Sequence, residues 1–296
     1  MSNESLEDDL LDFHNETYVP EKPDRQIIIR APFGIPGSKT RSIEHLKIIP
    51  YRKKWIDVFT GSGVVTFNRV PSTLEVMNDR YGGIVAFYRC LKDRNKYHLL
   101  KDWLEATIHS REDFYHCRNT WCSETDDVIR AAKWYYMIRT SVIGKGDCFA
   151  RQTNSTPQFP VRSSLKLLTA IHLRLMNVII ENLDFETCIN DFHSNDCVTY
   201  LDPPYIGTDP SVYETKWTRD DLSRLLKCIA NGQGYFALSG YPDEQIDAET
   251  FWTNKISWQV CANAEIKAFL GENGKKHLQN VQEVDYATEC LWIKDS

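Results

Sequence analysis

From Trp55 onward, short apolar runs alternate with stretches of helical period. Trp55-Ile-Asp-Val-Phe59 reads as a strand, Thr60-Gly61-Ser62-Gly63 as a turn and Val64 to Arg69 as a helix. A second short strand, Thr73 to Met77, ends at Asn78-Asp79 and runs into a helix near Gly83–Lys92. This is a βαβ opening, the unit of parallel sheets covered by helices on both faces. Between about residues 94 and 175 the strand pattern disappears. Tyr97–His109, Glu112–Thr120 and Asp126–Arg139 read as helices, followed by a polar, glycine-bearing loop from Gly144 to Pro160. Strand signals return at Val178–Ile180, Val198–Leu201, Tyr235–Leu238, Ser257–Val260 and Cys290–Ile293, with a helix over Arg219–Ala230. The pattern predicts an α/β chain: a doubly wound sheet interrupted by a mostly helical insertion.

Charge changes how that insertion is read. The whole chain carries 35 basic and 41 acidic residues, a net of −6, which by itself argues against a polyanionic partner. Residues 1–25 hold eight acids and two bases, so that segment accounts for the whole −6 and reads as an acidic, mobile arm. Arg130 to Ile180 contains eight bases and a single acid, Asp147, for a net of +7. A basic insertion in a neutral body is the footprint of a nucleic-acid partner. Lys133, Arg139, Lys145, Arg151, Gln152 and Asn154 are the candidate DNA contacts, with Arg162 and Arg174 as further phosphate neutralisers.

The nine cysteines are odd in number and form no CxxC pair, and His116-Cys117 with Cys122 lacks two further ligands at zinc spacing. Reduced thiols in a cytoplasm and no structural metal are the expectation. The longest apolar runs fall far short of the roughly 18 residues of a membrane span, and no secretory leader is expected.

Phe59-Thr-Gly-Ser-Gly63 follows the first strand and opens a helix, where glycines let a ligand approach the backbone and the helix N-terminus. Asp79 lies 18 residues beyond Gly61 at the end of the second strand, an offset from which a carboxylate can accept from ribose hydroxyls. Position 66 is Thr, so the third glycine of a dinucleotide fingerprint is missing. The implied ligand is an adenosine-containing cofactor without a buried pyrophosphate. Asp202-Pro203-Pro204-Tyr205 is the most specific feature, at the end of an apolar strand where doubly wound sheets place their ligand crevice. Two prolines hold the backbone extended, so the Asp202 carboxylate and Pro203 carbonyl become fixed acceptors beside an aromatic face. Such a set suits a planar group bearing an exocyclic amine.

In these motifs and their order, residues 31–294 resemble the Dam-type DNA adenine-N6 methyltransferases, including phage-encoded members. Pro32-Phe-Gly-Ile-Pro-Gly-Ser-Lys39 is similar to the family's opening motif, with Ile35 at its tryptophan position, Ser38 at its second glycine and Lys39 matching. Phe59-Thr-Gly-Ser-Gly63 resembles the cofactor loop, with Val58 in place of a proline. Asn78-Asp79 resembles the ribose-binding step, Asp184-Phe185 the motif set against the cofactor's adenine, and Thr288-Glu-Cys-Leu-Trp292 the closing strand. Arg139 to Asp147 is loosely similar to a DNA-contacting hairpin, with Ile143 where an asparagine is expected before Gly144.

The resemblance implies a Rossmann-like class I methyltransferase sheet with an inserted target-recognition domain, and S-adenosylmethionine as cofactor. It implies cofactor contacts from Ile35, Lys39, Phe59, Gly61, Ser62, Gly63, Asp79, Asp184, Phe185 and Asp202, and a catalytic set of Asp202, Pro203, Pro204 and Tyr205. The expected organisation is an arm over 1–25, a catalytic domain over 26–93 and 176–296, and a recognition domain over 94–175. The implied reaction methylates a flipped adenine of double-stranded DNA, without a metal or a membrane, in the cytoplasm of a bacterial or phage-infected cell, as a monomer or weak dimer. Related tetrapeptides also serve cytosine-N4, RNA bases and protein amides, so those acceptors stand as alternatives. So does a DNA-binding homologue with a decayed cofactor site, to which Ile35, Ser38 and Val58 would point.

Overall fold

The computed structural model describes residues 29–151, 161–206, 217–261 and 286–296; the acidic arm, Gln152 and Asn154 lie outside them. Seven strands form one sheet: β1 (Lys54–Asp57), β2 (Leu74–Asn78), β3 (Val178–Glu181), β4 (Cys197–Leu201), β5 (Tyr235–Gly240), β6 (Asn254–Cys261) and β7 (Tyr286–Asp295). Their order is β3-β2-β1-β4-β5-β7-β6. The first five run parallel, and β7 enters antiparallel between β5 and β6. The doubly wound expectation holds for the parallel part, while the antiparallel pair was not signalled by the hydrophobic pattern.

Ten α-helices occur among the described residues: α1 (Ile43–Leu46), α2 (Val64–Phe67), α3 (Gly82–Lys92), α4 (Arg94–Glu105), α5 (Arg111–Thr120), α6 (Asp127–Thr140), α7 (Leu165–Leu175), α8 (Phe185–Phe192), α9 (Arg219–Asn231) and α10 (Glu244–Asp247). Several boundaries follow from side-chain caps rather than from periodicity. Asp93 accepts from the amides of Asn95 and Lys96, so α4 starts ahead of the expected Tyr97. Asn68 ends α2 early, donating to the Val64 carbonyl at 2.7 Å and the Ile29 carbonyl at 2.8 Å.

Alternation along the strands separates two faces. Ile56, Val76, Leu201, Phe236, Leu238 and Trp292 point to the side covered by α8 and α9. Trp55, Val198, Tyr200, Ala237 and Leu291 point to the other, against α1 and α2. Beyond them on this second side, Met77 and Val178 meet α3 and the helices of the insertion in one continuous core. Phe87 of α3 stacks on Tyr135 of α6 with centroids 4.6 Å apart, and Phe33 meets Trp134 edge-on at 5.0 Å. A Cβ at Gly83 would lie 2.2 Å from the Trp134 indole, so α3 and α6 approach too closely there for any larger residue.

This packing corrects one candidate phosphate contact. Arg174 of α7 turns inward: its guanidinium forks onto the buried Glu75 carboxylate, one bond being 2.8 Å, and donates to the Thr66 carbonyl at 2.9 Å. A buried carboxylate on β2 demands a cation, and Arg174 supplies it, so it is a structural residue. No helix among the described residues is long and apolar enough to cross a membrane.

Candidate active site

The chain departs in opposite directions from β1 and β4, adjacent central strands, so a crevice opens beyond their carboxyl ends. A cleft of about 240 Å³ lies there, lined by the 35–39 segment, the glycine loop, the ends of β1, β2 and β4, and Asp184-Phe185. Every expected cofactor residue except Gly63 is on its wall, as are all four residues of the Asp202–Tyr205 motif.

The glycine loop owes its shape to two left-handed residues, Gly61 at φ +50° and Gly63 at φ +67°. A Cβ at Gly63 would strike the Phe67 ring at 2.6 Å, so conformation and space both require glycine. Asp79 holds the loop: one carboxylate oxygen accepts the Gly61 amide at 2.7 Å and the other the Tyr81 amide at 2.8 Å. Neighbouring Asn78 clips β2 to the Val58 and Leu183 carbonyls. At Ile35 and Ser38, where the resemblance departs from its pattern, the 35–39 segment still closes onto this loop. Ser38 and Ser62 share a hydroxyl bond of 2.9 Å, and Ile35 Cδ1 lies 3.3 Å from where a Gly61 Cβ would stand.

One end of the cleft is aromatic. Phe59, Phe185 and Trp217 form a triangle with centroids 5.5 to 5.9 Å apart, able to receive a flat heterocycle. The other end is charged. Lys39 Nζ meets Asp202 Oδ1 at 2.8 Å, and the Tyr205 hydroxyl donates to the same oxygen at 3.2 Å. The ammonium also stands 4.8 Å from the Tyr205 ring centroid, and Tyr241 packs against that ring at 4.5 Å. Burial alone would lower Lys39, but Asp202, with Tyr200 and Glu289 nearby, holds it above its ordinary value. Burial raises the Asp202 carboxyl against the opposing pull of Lys39.

Two acidic residues in this region were not among the expected site residues, although Glu289 belonged to the closing-strand motif. Asp57 ends β1 almost wholly buried; Thr66 donates to its Oδ2 at 2.7 Å, whereas Oδ1 has no partner. Burial pushes its carboxyl up to about 7. A carboxylate inside the apolar Trp55–Phe59 run was the available signal. Glu289 on β7 stands 3.9 Å from Lys39 and accepts from the Ser42 hydroxyl at 2.5 Å. Only the antiparallel placement of β7 brings it there.

The family model for D12 class N6 adenine-specific DNA methyltransferases matches residues 36–251. The chain belongs to this family. Membership covers the cleft walls from Pro36 to Asp221, and the seven-strand sheet is the Rossmann-like methyltransferase fold. No curated protein matches the chain. Family membership makes adenine in DNA the substrate class of this methyltransferase. Among the described residues no group of three or more His, Cys, Asp or Glu side chains is placed to hold a metal ion.

Of the candidate DNA contacts in this D12 methyltransferase, Lys145 reaches the cleft wall, and Arg139 lies in the last turn of α6, partly buried. Lys133 pairs with Glu124 at 2.8 Å, mostly shielded from solvent, and Arg151 is exposed. Between these residues the chain makes a tight turn with Ile143 at φ +48° and Gly144 at φ +74°. A Cβ on Gly144 would lie 1.7 Å from the Gly34 carbonyl oxygen, so the insertion touches the segment that leads into Lys39.

Proposed function

We propose that this chain transfers a methyl group from S-adenosylmethionine to N6 of an adenine flipped out of duplex DNA. The observation that carries the reading is a single cleft joining an aromatic, glycine-loop end to a rigid Asp-Pro-Pro-Tyr end. The residues fit the cofactor chemically. The triangle of rings suits its adenine, Asp79 lies beside the loop for the ribose, and the orphaned Asp57 Oδ1 is an acceptor that an amino-acid ammonium would satisfy. Ile35 packed on Gly61 and Ser38 bonded to Ser62 keep that end closed, which argues against a decayed cofactor site.

When bound, S-adenosylmethionine supplies a methyl group on a positive sulfonium. The protein's part is to position and polarise the amine. Lys39 and Tyr205 both engage Asp202 Oδ1, which leaves Oδ2 to accept one N6 proton while the Pro203 carbonyl accepts the other. These bonds favour a pyramidal, electron-rich nitrogen, and orientation supplies much of the acceleration. N6 is too weak an acid to be deprotonated first, so its proton passes to Asp202 with or after transfer. Lys39 keeps the buried carboxylate charged for that task. The adenine of a paired duplex is out of reach of such a recess, so the base is flipped into it, with Tyr205 alongside.

Residues 26–93 and 176–296 form the catalytic part in this reading, and 94–175 the target-recognition part. Arg139, Lys145 and Arg151 meet phosphates or base edges, joined by Gln152 and Asn154 from outside the described residues. The test is incubation with labelled cofactor and adenine-containing duplex, followed by mass spectrometry of the digested nucleosides. N6-methyladenine from the wild type and none from Asp202→Ala is the expected result. Equal labelling by both proteins removes Asp202 from catalysis, and N4-methylcytosine overturns the acceptor.

A further inference from the structure

Three carboxylates line the aromatic end of the cleft: Asp79, Asp184 and Asp221. Two of them have both oxygens engaged. Asp79 accepts the Gly61 and Tyr81 amides, one on each oxygen. Asp221 uses Oδ2 for the amide and hydroxyl of Thr218 in the cap of α9, and Oδ1 for Arg224. Asp184 differs. Its Oδ1 takes the Glu186 amide at 3.1 Å and Arg224 Nη2 at 2.9 Å, and neither bond uses Oδ2.

Arg224 adds a charged bond to the Glu186 cap in setting that asymmetry. It comes from α9, 40 residues along the chain from Asp184, and crosses to the start of α8. Its Nε and Nη2 fork onto Glu186 Oε2 at 3.1 and 2.7 Å, which fixes the guanidinium plane. In that position its central carbon is 4.7 Å from the Phe185 centroid. The same group therefore backs one ring of the aromatic triangle and pins one oxygen of the carboxylate beside it. A planar fork can do both; a point charge cannot.

We propose that Arg224 is a positioning residue that makes this site select a 6-aminopurine. By holding Oδ1 it leaves Oδ2 as the acceptor at the edge of the heterocycle, where a ring amine donates and a ring carbonyl is repelled. The inference rests on reading the cleft as the S-adenosylmethionine site, and it adds how the adenine would be told from its deaminated counterpart.

The test is titration calorimetry of the full chain with S-adenosylhomocysteine and with S-inosylhomocysteine, which carries an oxo group in place of the amine. Wild type should prefer the adenosyl compound by about 10- to 100-fold, the range of a hydrogen bond to a charged acceptor. Arg224→Gln should bind the adenosyl compound less well and prefer it by no more than about threefold, because Asp184 then keeps only the Glu186 amide on Oδ1 and loses the fixed charge that holds it. Arg224→Lys should stay close to the glutamine variant. Arg224 is 42% exposed, and thermal melts check that these variants fold. Asp184→Asn should also abolish the preference, and adding Arg224→Gln to it should change the preference no further. Equal weakening of both compounds by Arg224→Gln, with the preference intact, would mean a merely structural role and overturn the proposal. Equal affinity of the wild type for both overturns it while leaving the cofactor reading standing, and failure to bind either removes both.

Discussion

Asp57→Asn should stabilise the ligand-free protein in a pH-dependent way while weakening cofactor binding. The carboxyl of Asp57 is buried with Oδ1 unpartnered, and its pKa moves from 3.8 to about 7 on folding. An acid raised on folding binds more protons in the native than in the unfolded state. The penalty is therefore absent below the unfolded value, grows as pH rises through the window between 3.8 and about 7, and is full above it. The difference between the two values corresponds to about 4 kcal/mol at most. Asparagine imitates the neutral acid at every pH, so its advantage over wild type should grow by about 3 kcal/mol between roughly pH 4.5 and pH 8. With a urea slope of about 3 kcal/mol per molar, the midpoint difference widens by about 1 M over that range. Urea titrations at several pH values, without ligand, give the curve directly. A midpoint difference that stays constant with pH refutes the reasoning, because no carboxyl would then be titrating between the two states. The same variant should bind S-adenosylhomocysteine more weakly by calorimetry, since the orphaned oxygen is the feature that favours an ammonium.

Other substitutions separate structure from chemistry. Arg174→Met leaves Glu75 buried without its cation and should cost about 3–5 kcal/mol in urea unfolding, with the salt dependence of DNA binding unchanged; a changed salt slope would return Arg174 to the DNA interface. Ile143→Asn places a residue that tolerates left-handed backbone at φ +48° and should add about 1 kcal/mol, read from the urea midpoint; a lower midpoint contradicts it. Lys39→Met removes the cation that opposes the burial-raised Asp202 carboxyl, so the acidic limb of kcat should move up by about 1–3 pH units, and an unmoved limb would uncouple the pair. Lys145→Ala and Arg151→Ala should each flatten the salt dependence of DNA binding by about one phosphate contact, measured by anisotropy over a salt series; an unaltered slope takes either residue off the backbone.

Much of the site was legible because it is local. The Trp55–Gly63 unit joins an apolar run to glycines that the backbone requires, and Asp202-Pro-Pro-Tyr205 fixes its own geometry within four residues. Short apolar runs also located every strand, most plainly β4 and β5, which are buried on both faces, and less so β6, where Trp258 alone is buried among exposed neighbours. What stayed hidden depends on partners far apart in the chain. Glu75 and Arg174 are 99 residues apart, and composition cannot tell a phosphate-seeking arginine from one neutralising a core carboxylate. Glu289 reaches Lys39 only because β7 inserts antiparallel beside β5, and a two-residue period carries no strand direction. Asp57 was passed over as a polar interruption of a strand, although its unpartnered oxygen is the more informative half of that strand's end.

The core shared by α3 and the helices of the insertion limits how this protein can be re-engineered. Specificity is often sought by moving a recognition segment between homologous enzymes as a cassette. Here such an excision would strip Phe87, Tyr88 and Leu91 of the aromatic and aliphatic surface that covers them, and would leave the transplanted Trp134 and Tyr135 facing water. The smallest exchangeable unit therefore includes α3 and the Phe33 loop, so under the recognition role proposed for residues 94–175 a new sequence preference has to be grafted together with part of the scaffold that holds the chemistry.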